Sequence, residues 1–505
     1  MNALQPRYDA DVAIIGAGPV GLTLALLLVR SGCSVLLFER HPKPFSEPRA
    51  VGIDDETLRV WQACGVLEKI RPFILVGPPG ETVFTYRDAT GKGFFSLSQQ
   101  HGNLGHPEGA VFLQPPTEEV LRSVLANEPN VRLLVGHEVE RLTQTGTEAR
   151  VEGCTLDGTP FAYTSRYLVG CDGARSRVRE QAGIAFPGID CPGAWLILDV
   201  LDKNWHEGEL PDQGVEVWCE PGRTNVTVPL PSGYRRWEML LSNDEMGTLV
   251  NDDAAIRKRV AQYRTYDQPN IVRRKEICFS ARQASCYRAG RMLIAGDAAH
   301  ITPPFAAQGL VSGVRDVANL AWKLVAVLQG RQPETLLDTY DAERRQHQRR
   351  MLDLALALGR IMMPRTQLEA VIVRAFLRLI NAFPSFIADR FDLRGGHLQP
   401  HLKSGCIGPG GGSYFPQADV VDATGCTVPF DTLLGKGFAL VSFAVDGQVA
   451  AVSESAQALI SLDTPHLCLG KEFTDPLNAY ILFAGETVLV RPDRVIYTRI
   501  RQSAP

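Results

Sequence analysis

A glycine-rich run near the amino terminus carries the clearest chemical signal in the sequence. It reads Gly16-Ala17-Gly18-Pro19-Val20-Gly21, follows the apolar run 12–15 and precedes a helical pattern. Gly16 permits a tight turn, Gly18 lets the backbone approach a pyrophosphate, and Gly21 lets helix and strand pack closely. Glu39 ends the next apolar run, where a carboxylate accepts hydrogen bonds from an adenosine ribose. The run therefore predicts a dinucleotide site rather than a glycine turn without a ligand.

Two later aspartates stand beside glycine at the ends of apolar runs. Asp172-Gly173 follows the run 167–171, Gly296-Asp297 follows the run 292–295, and a helical pattern comes after each. We expect two further parallel strands whose carboxyl ends face the same site. Asp297 can accept a hydrogen bond from a ligand hydroxyl there. Three arginines after the first motif either supply positive charge for phosphates or are solvated helix charges: Arg175, Arg177 and Arg179.

The segments 168–179 and 290–300, which contain these aspartates, resemble the fingerprints of the group A flavoprotein monooxygenases, the FAD-dependent aromatic hydroxylases. The segments 48–56, 235–238, 315–324 and 491–494 make the chain similar to the 3-(3-hydroxyphenyl)propionate hydroxylase branch. The resemblance implies FAD, NADH or NADPH as co-substrate, and O2, with a flavin hydroperoxide that hydroxylates a phenolic substrate. Two alternatives stay open: a different phenol, such as a resorcinol or polycyclic phenol, or a flavin-dependent NAD(P)H oxidase without oxygenation.

The resemblance also implies which residues form the site. Those expected to contact FAD are Gly16, Gly18, Pro19, Val20, Gly21, Glu39, Arg40, Arg49, Gln114, Asp172, Gly173, Gly296, Asp297, Pro304, Gly309, Leu310 and Val311. Asp297 would take the ribityl chain, and backbone N–H groups near Gly309 would face the flavin ring. The family usually has Asn where Val311 stands, so one side-chain amide is missing. The Pro304 carbonyl is a candidate contact for the substrate hydroxyl, and His300 is a candidate general base, although it belongs to a structural motif of the family.

Candidate substrate contacts lie in a stretch of short alternating segments between residues 183 and 285. Arg223, Tyr234 and Arg236 could bind a substrate carboxylate or phenol, or could be ordinary parts of the fold. The eleven cysteines form no CxxC pair and no cluster at zinc spacing. We therefore expect reduced thiols and no metal site.

Four segments describe the expected domains of this α/β chain. A Rossmann-like FAD-binding domain takes residues 1–182 and 286–400, and an antiparallel-sheet substrate domain is inserted at 183–285. Residues 401–505 form a small carboxyl-terminal domain with strands expected at 438–443, 480–482 and 488–490. The resemblance implies that this domain is thioredoxin-like and lacks redox cysteines.

Composition and charge exclude several other classes of protein. The 505 residues are 45% hydrophobic and 21% charged, which is typical of globular domains. A net charge of -4 argues against nucleic acid as a partner. No apolar run is long enough for a membrane span, and the first ten residues lack a signal-peptide pattern, so we expect a cytoplasmic protein with no membrane partner. A homodimer stays open.

Overall fold

The computed structural model describes residues 8–100, 102–201, 214–263, 270–382, 401–443, 453–461 and 463–501. Its strands are β1 (Ala10–Ile15), β2 (Val35–Glu39), β3 (Gly52–Ile53), β4 (Ile74–Leu75), β5 (Thr82–Arg87), β6 (Gly93–Ser98), β7 (Ala110–Phe112), β8 (Val131–Val135), β9 (His137–Gln144), β10 (Ala149–Thr155), β11 (Pro160–Gly170), β12 (Gly188–Leu201), β13 (Val215–Trp218), β14 (Asn225–Pro229), β15 (Tyr234–Leu240), β16 (Asn270–Gln283), β17 (Arg288–Ala289), β18 (Met292–Ile294), β19 (His300–Ile301), β20 (Asp419–Asp422), β21 (Thr427–Pro429), β22 (Ala439–Ser442), β23 (His466–Cys468), β24 (Phe473–Thr474), β25 (Glu486–Val490) and β26 (Ile496–Arg501). Its α-helices are α1 (Pro19–Val29), α2 (Asp55–Ala63), α3 (Leu67–Ile70), α4 (Gln114–Leu125), α5 (Arg177–Gln181), α6 (Asp253–Ala261), α7 (Gly309–Leu328), α8 (Asp338–Met362), α9 (Gln367–Ala382), α10 (Asp431–Leu434) and α11 (Glu454–Gln457).

A mainly parallel sheet collects the motifs found in the sequence. Its order is β17-β18-β11-β1-β2-β8, and β1 pairs in parallel with both β11 and β2. Strand β18 pairs in parallel with the far side of β11. The carboxyl ends of β2, β1, β11 and β18 therefore lie side by side at one edge of the sheet, as the sequence predicted.

Helix α1 has almost no polar face. Eight of its eleven residues are buried, since it lies between the sheet and α7. The two helices approach closely at Gly313 of α7, where a Cβ would lie 2.6 Å from a methyl group of Val20. Neither α1 nor any other helix within the described ranges is both long and apolar enough to cross a bilayer.

The second large sheet is antiparallel apart from one pair of strands. Its order is β19-β16-β12-β15-β14-β13-β5-β6, and β13 and β5 run in parallel. Strands β12 and β16, each of 14 residues, form its long central pair. The sheet reaches beyond the predicted range 183–285, because β5 and β6 come from residues 82–98 and β19 from residues 300–301. Strands that pair across such long distances in the chain leave no local sequence pattern from which the pairing could be predicted.

The carboxyl-terminal region has its own four-stranded sheet, in the order β23-β22-β25-β26. Strands β22 and β23 are parallel and the other two pairs are antiparallel. The predicted strand at 480–482 is wrong: Ile481–Phe483 is a 3-10 turn. Only Tyr480 and Phe483, three residues apart, reach the core, while Ile481 and Leu482 are exposed. That spacing suits a helical turn and not a strand.

Buried ion pairs hold α7 at both ends. Near its amino end, Arg315 donates to Glu56 (Nε–Oε2 2.7 Å) and to Asp54 (Nη2–Oδ2 2.7 Å). Further along, Lys323 lies 3.0 Å from Glu343 of α8, and all five side chains are less than a tenth exposed. Removing one partner from such a pair is costly, so the amino end of α7 has a fixed position.

Candidate active site

The glycine run closes the carboxyl end of β1 against β11. Gly16 has φ +102°, and a Cβ there would lie 2.4 Å from the carbonyl oxygen of Cys171. A Cβ on Gly21 would lie 2.0 Å from the carbonyl oxygen of Gly16. A Cβ on Gly18 would meet no atom within 4 Å. The protein's own packing therefore requires the first and last glycines, whereas Gly18 leaves open space for an anion at the amino end of α1.

A charged groove runs from this glycine run past the end of β2. Glu39 Oε2 accepts from Ala17 N (3.0 Å), and its Oε1 accepts from His41 N (2.9 Å). Each oxygen keeps a second lone pair that a ribose hydroxyl can use. The groove is also lined by Gly16, Gly18, Pro19, Arg40, Arg49, Gln114, Arg122, Asp172, Gly173, Arg175 and Arg177. Arg122, which the sequence did not single out, donates to the Ala17 carbonyl (3.0 Å).

Gln114 fixes the backbone of the segment that carries Arg49. Its Oε1 accepts from Arg49 N (3.1 Å) and Ala50 N (2.7 Å), and its Nε2 donates to Glu118 (2.6 Å). The Arg49 guanidinium lies over the Phe45 ring, 4.1 Å from its centroid, and stays exposed in the groove. Arg49 is thus placed to meet an anionic ligand, and the buried Gln114 orients it.

Asp172 and one of the arginines after it are engaged within the protein. Asp172 Oδ1 accepts from Ser176 Oγ (2.5 Å), and its Oδ2 accepts from Val178 N (3.1 Å). Burial raises the pKa of this carboxyl group. Arg179 is buried and donates to the carbonyls of Ala298 and Ala174, both at 3.0 Å. Arg179 therefore braces the fold, and Arg175 and Arg177 remain as charges on the groove.

Asp297 lies where the parallel sheet meets the larger cavity. Its carboxylate is accessible from the cavity, and no hydrogen bond from the described residues reaches it. Its deep position raises the pKa of Asp297, while the charges of His300 and Arg49 lower it. Gly296 before it has φ +62° and donates its N–H to Asp316 Oδ2 (3.0 Å). An unpaired acceptor facing a cavity suits a ligand hydroxyl, and the ribityl chain of FAD fits this position.

His300 belongs to a buried ionic network and does not face the cavity. Its Nε2 lies 2.6 Å from Asp316 Oδ2, and Arg344 donates to Asp316 Oδ1 (3.0 Å). Burial opposes ionisation, but His300 and Arg344 hold the pKa of Asp316 below its usual range. His300 is fully buried, whereas its neighbours Ile301 and Thr302 line the cavity. The geometry gives His300 a positioning role, and an exchange of protons with substrate would need a different side chain.

The loop before α7 and the first turn of that helix form one cavity wall. Pro304, Gly309 and Leu310 line the cavity, and the Pro304 carbonyl accepts from Ala307 N (2.9 Å). The first N–H groups of α7 have no acceptor within the helix, and they carry the positive end of its dipole. Val311 is almost fully buried and does not line the cavity. The position where the family has Asn thus packs into the core here, while the backbone donors remain.

The cavity itself is large and mainly apolar, with a volume of about 980 Å³. Aromatic rings close one side: Trp195 and Phe279 lie 5.8 Å apart between centroids, and Phe305 lies 5.9 Å from Trp195. The floor is the face of the second sheet, on which four charged side chains lie: Arg236, Glu238, Arg273 and Lys275. The sequence analysis missed all of these except Arg236. The alternation of side chains between the two faces of β12 and β16 was the available signal for these residues. It does not show which face of the sheet meets the cofactor.

Of the three predicted substrate contacts, only Arg236 lies on the cavity, and it is already engaged. It donates to Asp199 (Nε–Oδ1 2.8 Å, Nη2–Oδ2 2.9 Å) and to the Arg49 carbonyl (2.7 Å). Arg223 is not part of the cavity lining, and Glu245 lies 3.8 Å from it. Tyr234 packs in a hydrophobic cluster at the end of β15 and likewise does not line the cavity. Arg236 therefore ties the cavity floor to the segment of Arg49.

Comparison with known proteins shows the family to which this chain belongs. A family described as FAD binding domain matches residues 9–355. A 3-(3-hydroxy-phenyl)propionate/3-hydroxycinnamic acid hydroxylase of Mycolicibacterium gilvum (strain PYR-GCK) is 33% identical, covering 99% of this chain and 91% of its own. A hydroxylase of the same name from Burkholderia cenocepacia (strain HI2424) is 35% identical over 90% of this chain and 82% of its own. A crystal structure of aklavinone-11 hydroxylase with FAD and aklavinone superimposes with a TM-score of 0.79, at 23% identity, over 99% of this chain and 97% of the other, which shows the shared fold. The chain belongs to the FAD-binding family of flavoprotein monooxygenases, whose members include these hydroxylases.

Proposed function

We propose that this enzyme hydroxylates a phenolic acid such as 3-(3-hydroxyphenyl)propionate, with NAD(P)H and O2 as co-substrates. The observation that carries the proposal is the position of the apolar cavity, which opens directly onto Asp297 and the amino end of α7. A ring held there would lie against the reactive part of the cofactor. The names of the similar hydroxylases supply the substrate class.

The residues described above fit FAD along its length. The open side of Gly18 and the amino end of α1 would hold the pyrophosphate, Glu39 the ribose, and Asp297 the ribityl chain. The first turn of α7 would offer N–H groups to the negative edge of the ring. When bound, FAD supplies electron transfer from the nicotinamide and the activation of O2.

The cavity walls would orient the aromatic ring and exclude water. Trp195, Phe279 and Phe305 form an aromatic corner with centroid distances of 5.8 to 6.1 Å. Such a corner holds a flat ring by offset or edge contacts. A water-poor site also protects a reactive oxygen donor from hydrolysis.

Lys275 is the cation on this floor that would receive the substrate carboxylate. It lies on β16 directly opposite Ile197, lines the cavity and forms no ion pair within the described residues. Arg236 and Arg273, the other two cations, already contact Asp199. A free ammonium at the edge of an apolar cavity favours a substrate with one charged end and one aromatic end.

A larger polycyclic phenol is the second candidate, and the size of the cavity favours it. The 980 Å³ lies near the upper end of small-molecule sites. FAD would occupy the part next to Gly18 and Asp297. Relative turnover of one-ring and multi-ring phenols measures how much of the remaining space the substrate uses.

A product-identified assay tests the function. The purified protein should be yellow with bound FAD, its NAD(P)H oxidation should accelerate with 3-(3-hydroxyphenyl)propionate, and one hydroxylated product should form per NAD(P)H. Accelerated NAD(P)H use that yields only H2O2 would identify an oxidase without oxygenation. A preparation that binds no FAD would refute both activities.

A further inference from the structure

Glu238 is a carboxyl group on the floor of the cavity. It lies on β15, directly opposite Ile197 of β12 and Val226 of β14, and all three line the cavity. No hydrogen bond or ion pair from the described residues reaches its carboxylate. Arg236, two residues earlier on the same face, uses its donors on Asp199 and on backbone carbonyls. An acidic side chain thus lies on the floor of a mainly apolar cavity without a hydrogen-bond partner among the described residues.

Three charged groups surround Glu238, and none of them pairs with it. They are Arg236 on the same strand, Asp199 on β12 and Arg273 on β16. Burial, the largest effect, and the negative charge of Asp199 both raise the pKa of Glu238, whereas the two guanidinium groups lower it. The pKa of Glu238 therefore lies above its usual value. Glu238 is therefore a stronger base than an exposed glutamate.

We propose that Glu238 accepts the proton of the substrate's phenolic hydroxyl and so generates the phenolate inside the cavity. The assignment rests on the proposed function. An ionised carboxylate only accepts hydrogen bonds, and the anion of a hydroxyarylpropionate has a single donor, its phenolic O–H. The substrate carboxylate would be repelled from Glu238, so only the hydroxyl end fits here.

The proton transfer balances without any further reactant. The phenolic O–H bond breaks, an O–H bond forms on Glu238, and the negative charge passes from the glutamate to the substrate oxygen. The total charge of the cavity stays constant, so no additional charge has to be buried. The guanidinium groups of Arg236 and Arg273 are close to the negative charge both before and after the proton transfer. The phenolate activates the ring carbons ortho and para to its oxygen.

The sheet register supplies the second end of the same site. Glu238 and Lys275 both pair with Ile197, from opposite sides, so they share one face of the sheet. Two strand spacings, about 9–10 Å, separate their backbones. An arylpropionate laid across Ile197 therefore meets a proton acceptor at its hydroxyl end and a cation at its carboxylate end.

The test compares wild type with Glu238→Gln over a series of meta-substituted phenolic acids whose hydroxyl pKa is lowered stepwise by ring fluorination. Single-turnover hydroxylation rates are measured, and the ratio of wild type to variant cancels the intrinsic reactivity of each ring. We expect a ratio of about 10²-fold or more for the least acidic phenol, falling towards one for phenols already ionised at the working pH. Raising the pH should lower the ratio in the same way.

Two further variants make the result specific. Glu276→Gln removes a carboxylate on β16 that accepts a hydrogen bond from the N–H of Gly247. Its cross-strand partner is Leu196, next to Ile197. The ratio of the wild-type rate to the rate of this variant should stay near one for every phenol in the series. Glu238→Asp keeps a base, so the ratio of wild type to this variant should stay constant across the series even if the variant is slower. A Glu238→Gln ratio that is constant across the series, whatever its size, overturns the assignment while leaving the hydroxylase intact. A wild type that hydroxylates none of the phenols overturns the proposed function and the assignment together.

Discussion

The two large sheets handle charged side chains in opposite ways. At the carboxyl edge of the parallel sheet, Glu39 and Asp172 are braced by backbone N–H groups and still face an open groove. On the floor of the second sheet, Arg236 and Asp199 pair with each other beneath an apolar cavity. The groove offers charged and polar groups in contact with water, which suits the anionic dinucleotide proposed for it. The floor pairs Arg236 and Arg273 with Asp199 in a mainly apolar cavity, where an unpaired group such as Glu238 has a large effect.

Replacing Arg236 should have the largest effect, because this side chain joins the two regions. Arg236→Met would leave the buried Asp199 with only its longer contact to Arg273, and the Arg49 carbonyl would lose its donor. We expect a loss of about 3–5 kcal/mol in the free energy of unfolding, together with weaker FAD binding. Chemical denaturation and FAD titration measure the two effects.

The matched control for this variant is Arg282→Met in the same sheet. Arg282 contacts Asp190 at 2.6 Å, but the Asp190 side chain is 75% exposed. A surface pair of this kind is worth about 0–1 kcal/mol. Equal losses for the two variants would show that the buried pair has no special role in linking floor and groove.

Two glycines of the same run should separate folding from cofactor binding. Gly16→Ala would strain a backbone at φ +102° and collide with the Cys171 carbonyl, so we expect about 1–3 kcal/mol from the backbone alone and loss of FAD. Gly18→Ala meets no protein atom and should weaken only FAD binding. Thermal unfolding of the apo-protein and FAD titration distinguish them. Equal apo-protein stability for both variants would contradict the packing argument.

The groove was more predictable from the sequence than the cavity, for a physical reason. The glycine run, Gly16 to Gly21, belongs to one strand-turn-helix unit and shows in the local sequence, although Gly16 also packs against Cys171. Glu238 belongs to the segment 235–238, which supports the family resemblance. Its place on the cavity floor depends on the register of β15 against β12, because a shift of one residue would turn it away from the cavity. Arg223 lies in the turn between β13 and β14 and Tyr234 is the first residue of β15, and neither lines the cavity. Strand β5 pairs with β13 although its residues lie 131 positions earlier in the chain, so no local sequence pattern indicates the pairing.

Asp297 should show an effect on the cofactor that is absent from the apo-protein. Asp297→Asn removes a charged acceptor that no hydrogen bond from the described residues reaches, so the free energy of unfolding without FAD should fall little or even rise. The affinity for FAD should fall by roughly 10–100-fold, since a hydrogen bond to a charged group is worth about 1.5–3 kcal/mol. Asp316→Asn serves as the contrast, because it breaks the pair with His300 and Arg344 and should destabilise the apo-protein. Unchanged FAD affinity in Asp297→Asn would place the ribityl chain elsewhere.

The smallest expected effect concerns only the charged end of the substrate. Lys275→Met should raise KM for a phenolic propionate by about tenfold, or roughly 1.4 kcal/mol, and leave KM for an uncharged phenol unchanged. Arg223→Ala should change neither constant by more than about twofold, because Arg223 lies outside the cavity lining. The two variants together decide which cation the cavity presents to a carboxylate. The opposite result would be a KM for the phenolic propionate, but not for the uncharged phenol, that rises in Arg223→Ala and stays unchanged in Lys275→Met. The substrate would then lie across β14 and not across Ile197, and the orientation argued from the sheet register would be wrong.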